Sequence, residues 1–241
     1  MNSYNQIDFS EQRLRNLYRY SKKNGYLDIF FGEEKKVNKP FILWRHDVDI
    51  ELPAVKKMAK IEYEEGIKST YFFMTNSWFY NIFSIEGRET INLVKRLGHR
   101  VGLHCDLEVI RDKKVKNDYV IDKVEKDFSL LSVMYPDTFD KVVSFHNPPS
   151  SILGKNYKGF YSTYNESFFK EIKYLSDSNR IWREGSPESW FNIDSNSKLS
   201  ILLHPIIWAY PGVTMADAMN AFIKSKNNKI FKKLEEDDIY I

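Results

Sequence analysis

The chain lacks several features that would point to particular classes of protein. It has one cysteine, Cys105, in 241 residues, so an internal disulfide is excluded and a reducing compartment is expected. No apolar run approaches the roughly 18 residues that predict a membrane-spanning helix. The 36 basic and 33 acidic residues leave a net charge of +3, which is too small to indicate binding to nucleic acid.

Segments for export or for joining domains are also missing. The N-terminus has neither an apolar core nor a small-residue cleavage site, so we expect a cytoplasmic protein. No Gly-, Ser- or Pro-rich linker and no internal repeat divides the chain, and 42% hydrophobic residues suffice for a sizeable core. Residues 1–241 are therefore predicted to form one domain, because α/β barrels often have about 200–250 residues.

The chain does contain an alternation of short apolar runs and amphipathic stretches, which is typical of α/β proteins with a largely parallel sheet. Apolar runs predict strands at 41–44, 70–74, 100–104, 142–145 and 199–203, with a shorter strand at 174–175. Helical spacing of apolar residues predicts helices at 10–23, 52–63, 86–97, 121–131 and 215–222. The rest of 150–198 reads as loops.

Histidines recur where apolar runs end. His46, His104, His146 and His204 each follow such a run. Because the carboxyl ends of parallel strands carry the ligand sites of α/β folds, this recurrence predicts a functional site at that edge of the sheet. The fifth histidine, His99, follows a glycine in a predicted loop, and we expect it to be exposed and without a function.

Two carboxylates stand beside the first of these histidines, in the string His46-Asp47-Val48-Asp49. Two like charges that can approach one point favour a cation between them. An alternative is that Asp49 caps the helix that begins near Leu52. The other strand-end histidines favour a metal site.

Four strings together resemble the motifs of the polysaccharide deacetylases, the NodB-homology proteins of carbohydrate esterase family four. They are HDVD at 46–49, GLH at 102–104, SFHNP at 144–148 and LLHP at 202–205. Their order and spacing match over roughly residues 40–210, closest to a divergent subgroup associated with surface-polysaccharide biosynthesis. The resemblance implies a distorted (β/α) barrel of about seven strands. It also implies a metal-dependent hydrolase that removes an acetyl or other small acyl group from an amino sugar, in lipopolysaccharide or capsule biosynthesis.

The resemblance also implies residue roles. Asp47 matches the catalytic base and Asp49 a metal ligand, although the two roles could be exchanged. His204 matches the histidine that would protonate the leaving amine, and Asp177 is expected to hold its second ring nitrogen. His104 matches the first of two metal-binding histidines.

The motifs depart from the family in two places. Glu108 occupies the position of the second metal-binding histidine, with Asp106 before it. His146 or Asn147 stands where the family has an arginine before a proline. We therefore predict a divalent metal, with zinc expected, bound by Asp49 and His104 and completed by His146 or Asp106.

The expected substrate is an acetamido sugar linked to a nucleotide or a lipid, because no export signal directs the chain to a cell wall. Trp182 and Trp208 are candidates for stacking on the sugar and Arg183 for binding it, with core packing as the alternative for either tryptophan. Cys105 is not expected to be a nucleophile paired with His104, since adjacent strand residues point to opposite faces.

Two other functions fit the same residues. One is a different metal-dependent amidohydrolase on the same fold. The other is a degenerate homologue that binds a sugar without turnover, which the absent arginine and second histidine favour, whereas the retained Asp47 and His204 favour catalysis. His46-Asp47 also resembles the metal-binding pair of the all-helical HD phosphohydrolases, but here the pair follows a strand.

Overall fold

Eight parallel strands form one sheet in the computed structural model, which describes residues 9–108, 114–210, 212 and 214–239. Seven strands lie in the order β6-β5-β4-β3-β2-β8-β7 and curve into a half-barrel, while β1 pairs with the beginning of β2. This arrangement confirms the predicted α/β barrel-like fold. The strands are β1 Leu27–Asp28, β2 Phe41–Val48, β3 Ser69–Phe73, β4 Arg100–Cys105, β5 Val142–Phe145, β6 Tyr161–Ser162, β7 Lys173–Ser176 and β8 Lys198–Leu203.

Helices flank the sheet, and α2 packs against both α3 and α6. Within the described residues, none of them combines the length and the apolar character needed to cross a bilayer. Helix α1 begins where the Ser10 side chain accepts a hydrogen bond from the backbone of Arg13. The helices are α1 Glu11–Lys23, α2 Leu52–Glu64, α3 Ile85–Arg96, α4 Asn117–Met134, α5 Glu166–Lys170, α6 Pro205–Ala209 and α7 Met215–Glu236.

Strand β2 lies in the middle of the sheet and is longer than predicted. It pairs with β3 on one side and β8 on the other, and all eight of its residues are buried. The apolar run ends at Trp44, yet the strand continues through Val48 because its polar side chains find partners inside the protein. Since side chains alternate along a strand, Arg45 and Asp47 share one face of the sheet and His46 lies on the other.

The predicted exposure of His99 is wrong, because its ring packs beneath the sheet with only 2% of the residue exposed. Nε2 of His46 lies 2.6 Å and Nδ1 of His99 lies 3.7 Å from the carboxylate of Glu62, a buried residue of α2. That carboxylate also accepts hydrogen bonds from the hydroxyls of Tyr18, Ser69 and Tyr71. His46 therefore belongs to a buried polar network, and three of the four strand-end histidines remain for the site.

Residues 150–198 contain more regular structure than predicted. The strand predicted at 174–175 is β7, and β6 and α5 precede it. Short 3-10 turns at Ser150–Ile152, Ser178–Arg180 and Pro187–Trp190 connect these elements. Such brief elements carry no readable periodicity, which is also why the two-residue strand β1 is not predicted.

Candidate functional site

A cleft of about 540 Å³ opens at the carboxyl ends of the central strands. Asp47 and Asp49 reach it from β2 and the residues after it, His104 from β4, His146 from beyond β5, and His204 from beyond β8. Parallel strands end at the same edge of the sheet, so residues far apart in sequence meet there.

Arg45 and Asp47 form a buried ion pair at the floor of this cleft. Nε and Nη2 of Arg45 donate to the two carboxylate oxygens at 2.9 and 2.7 Å, and the Ser144 hydroxyl donates to the same oxygens at 2.9 Å. Burial alone would raise the pKa of Asp47, but the guanidinium charge outweighs it and holds that pKa well below the usual range. Asp47 is therefore ionised, and these hydrogen bonds hold its carboxylate in one orientation.

The sequence prediction missed Arg45. Its opposite charge two residues before Asp47 is the signal that could have identified it, since residues two apart in a strand share a face. The Tyr164 ring stacks on the guanidinium with its centroid 4.7 Å away, and its hydroxyl accepts from Nη2 at 2.7 Å.

Asp49 and His104 approach closely just above this pair. Oδ1 of Asp49 lies 2.9 Å from Nε2 of His104, yet this buried oxygen makes no hydrogen bond with any described residue. Nδ1 of His104 lies 3.1 Å from the Ser144 carbonyl, which can only accept, so Nδ1 carries a proton. Nε2 of the ring therefore faces the Asp49 carboxylate, and either a proton or a cation between the two atoms would stabilise this approach.

Asp49 does not cap helix α2. The residue at the N-cap is Glu51, and no side chain there hydrogen-bonds to the first turn. The alternative interpretation of Asp49 is therefore wrong.

The predicted third metal ligand is not in place. Across the described residues, no three ligand side chains converge on one point. Nδ1 of His146 instead lies 3.4 Å from the carboxylate of Asp106, and the hydrogen bond between them raises the pKa of His146. Glu108 is exposed and accepts from the Asn76 amide at 2.9 Å. Asp49 and His104 thus lie together, whereas His146 and Asp106 pair with each other and Glu108 pairs with Asn76.

His204 is held by Asp177 on the opposite wall. Nδ1 of the ring lies 2.6 Å from Oδ1 of Asp177, whose carboxylate is fully buried and also accepts from the Trp208 indole at 2.8 Å. Burial lowers the pKa of His204, but the charge of Asp177 outweighs it and raises that pKa to about 9. The His204 ring is therefore a positively charged imidazolium at neutral pH. Its Nε2 lies 3.8 Å from the carboxylate of Asp49.

The two tryptophans predicted to stack on a sugar do not line the cleft. Trp182 is 5% and Trp208 6% exposed, so both rings lie in the core, and Trp208 holds Asp177 instead. Arg183 does line the cleft, is exposed, and pairs with no side chain among the described residues. Tyr164, Tyr174 and Phe169 supply the aromatic wall that the sequence prediction did not identify.

Cys105 is unsuited to nucleophilic chemistry. Its thiol is buried on the other face of β4 from His104, where it donates to the Asp127 carboxylate at 3.7 Å. Burial raises the pKa of the thiol far above its usual value.

No protein-family model matches the chain, and no curated protein matches it in sequence. Three solved structures of similar fold are a peptidoglycan deacetylase from Bdellovibrio bacteriovorus, the chitin deacetylase of Colletotrichum lindemuthianum and a CE4 family pseudoenzyme from Bacillus anthracis. Their sequence identities to this chain are 17, 15 and 13%, and their TM-scores are 0.44, 0.45 and 0.42. The matches cover 86, 78 and 84% of this chain, and 53, 83 and 63% of the respective structures.

The chain thus spans about half the length of the Bdellovibrio protein. Likenesses this weak transfer neither residue roles nor an activity to the chain.

Proposed function

We propose that the cleft removes an acetyl or other small acyl group from an amino sugar in a metal-dependent hydrolysis. The observation that carries the proposal is the placement of an ionised carboxylate, Asp47, and a protonated imidazole, His204, around the Asp49–His104 pair. Amide hydrolysis needs a base for the attacking water and an acid for the leaving amine, and these two residues have the required charge states.

Asp49 and His104 are the residues that would hold the metal. A Zn²⁺ bound there would supply Lewis acidity to the acyl carbonyl and to the attacking water. Asp47 is the poorer ligand of the two aspartates because Arg45 and Ser144 occupy both of its oxygens. Oδ1 of Asp49 approaches His104 but accepts no hydrogen bond from a described residue, so we prefer this assignment of the roles to the exchanged one.

Asp47 takes the proton from the attacking water. Arg45 holds the pKa of Asp47 low, so Asp47 is a weak base. The fixed orientation of its carboxylate therefore matters more than its basicity. His204 gives the proton of Nε2 to the leaving nitrogen, while Asp177 keeps the ring oriented and stabilises its charge.

The substrate that suits the cleft is an amino sugar with an anionic substituent. Its volume of about 540 Å³ lies within the usual range of small-molecule sites. Arg183 is a cation without a partner among the described residues, and we assign it to the phosphate of a nucleotide- or lipid-linked sugar. Such substrates suit an intracellular role in lipopolysaccharide or capsule biosynthesis.

The experiment is to measure acetate release from a panel of UDP-linked acetamido sugars, with the protein as purified, after chelation, and after zinc is restored. We expect release from at least one sugar, its loss on chelation and its recovery with zinc. Release that persists after chelation would contradict metal dependence. Release of another small carboxylic acid would identify the acyl group, and absence of any acid from every sugar would contradict the proposal.

A second function, sugar binding without turnover, is favoured by one observation. Only two of the predicted ligands converge among the described residues, and a weakly held metal would leave the cleft inactive. Calorimetric binding of a UDP-sugar by the zinc-loaded protein, with no acid released, would support this function over the first.

A further inference from the structure

Helix α7 leaves the body of the protein soon after it begins. Ala218 and Phe222 are its buried residues, and from residue 223 to residue 236 every side chain is half-buried or exposed. Isolated helices shorter than about 12–15 residues are marginal in water. Packing of an apolar face supplies most helical stability in proteins, and residues 223–236 contribute no buried residue.

The exposed part of α7 is basic and carries apolar residues on one face. Residues 218–234 include five lysines and no acidic residue. Ile223 and Ile230 are 51% and 47% exposed, and their spacing of seven places them on the same face of the helix.

Four acidic residues follow at 235–238, and two of them pair within the last turns. Lys232 and Lys233 lie at ion-pair distance from Glu236 and Asp237, respectively. Lys224, Lys226 and Lys229 have no carboxylate at that distance among the described residues.

Two aromatic residues extend this face from the loop after β3. Trp78 is 96% exposed and Phe79 48% exposed. The Phe79 ring contacts that of Phe222 with centroids 6.1 Å apart, and Nζ of Lys226 donates to the Phe79 carbonyl at 3.4 Å. The loop and the helix therefore meet at Phe79, Phe222 and Lys226. We call the exposed residues around this contact the α7 surface: Trp78, Phe79, Ile223 and Ile230, with Lys226 and Lys229 on one flank of the isoleucines and Lys224 on the other.

We propose that the α7 surface binds an anionic lipid membrane. Basic helices with exposed apolar residues lie in the bilayer interface, where lysines contact headgroup phosphates and aromatic rings enter the boundary region. The alternative partner is a second copy of α7, in which residues 235–238 would face the lysines. Two of those four acids, Glu236 and Asp237, already pair with Lys232 and Lys233, and a helix pair would leave the exposed Trp78 without a role.

Met215, at the start of the same helix, lines the cleft. Where the proposed function holds, membrane binding through α7 would bring the molecule to the surface that carries a lipid-linked substrate. Vesicle binding is measured without any enzymatic turnover. A protein that does not bind vesicles would count against this proposal alone, and a protein that releases no acid would count against the proposed function alone.

The experiment is cosedimentation of the whole protein with vesicles of phosphatidylcholine alone or with roughly one-third phosphatidylglycerol. We expect binding to the anionic vesicles, little to the neutral ones, and a severalfold loss of binding when salt is raised from about 0.1 to about 1 M. Failure to bind anionic vesicles at low salt would overturn the proposal.

The triple variant Lys224→Glu/Lys226→Glu/Lys229→Glu should weaken binding at least about tenfold, and Trp78→Ala should weaken it independently. A matched control, Lys35→Glu/Lys36→Glu/Lys39→Glu, reverses three exposed lysines that precede β2 and should bind like wild type. Circular dichroism would establish that each variant is folded. Equal loss in the control would overturn the proposal, as would a dimer of the wild type that the α7 variant dissociates without any vesicle binding.

Discussion

Oδ1 of Asp49 lies 2.9 Å from Nε2 of His104 and makes no hydrogen bond with a described residue. Asp49 directly follows β2 and His104 lies in β4, so the parallel sheet brings the two atoms together. If a proton on Nε2 joined them, the pair would be an ordinary buried ion pair. If a cation binds both atoms, their separation of 2.9 Å suits two neighbouring ligands of one metal ion.

Arg45→Lys should lower activity without unfolding the protein. Lysine retains the charge but cannot donate two parallel hydrogen bonds to Asp47, so the base loses its fixed direction. We expect kcat to fall roughly tenfold to a hundredfold with little change in KM. Steady-state kinetics and a thermal melt would check this, and an unchanged kcat would show that Arg45 acts only in folding.

Asp47→Asn and His204→Ala should each lower kcat by about 100-fold or more, because each removes a proton-transfer group from the chemical step. KM should change little, since the interactions lost belong to the transition state. Turnover of His204→Ala near the wild-type rate would mean that His204 is structural and that the proton comes from another group.

Asp177→Asn should act through His204. The amide cannot stabilise the imidazolium, so the pKa of His204 should fall from about 9, and kcat should fall at least about tenfold. NMR titration of the His204 ring would measure the pKa directly. Trp208→Phe, which removes one hydrogen bond to Asp177, is the matched control and should lower kcat less than Asp177→Asn.

Acid should destabilise the fold through Glu62. Burial would raise the pKa of Glu62, but the neighbouring His46, His99 and the Ser69 hydroxyl outweigh burial and lower it to about 2. A carboxylate whose pKa is lower in the folded than in the unfolded state stabilises the fold above its unfolded pKa of about 4.5. That stabilisation is lost as pH falls from about 4.5 to about 2.

Urea unfolding at about pH 7, 5 and 3 would test this. The free energy of unfolding should fall most steeply below about pH 5, and Glu62→Gln should flatten that dependence. An equally steep loss in Glu62→Gln would place the acid sensitivity in other residues.

Much of the fold is readable from the sequence because buried parallel strands are continuous apolar runs. The strands at 100–104, 142–145 and 199–203 end within about one residue of their predicted ends. Since parallel strands end at one edge of the sheet, the proximity of His104 and His204 follows from those boundaries.

Other features depend on tertiary partners that no local pattern reveals. The apolar run predicts that β2 ends at Trp44, but the strand continues to Val48. The polar side chains of this continuation are stabilised by Asp47 in the same strand and by Ser144 and Glu62 on other elements. His99 follows a turn, a position that predicts exposure, but its side chain is buried because it contacts Ser69 and Ala59. The burial of Trp208 likewise depends on Asp177.

The most direct test of the account is the metal content of wild-type protein and of His104→Ala, measured together with acetate release. We expect about one divalent ion per wild-type chain and acetate release from an acetamido sugar. His104→Ala should remain folded and lose both the ion and the activity. Full metal occupancy in folded His104→Ala would contradict the assignment of the Asp49–His104 pair as the metal site.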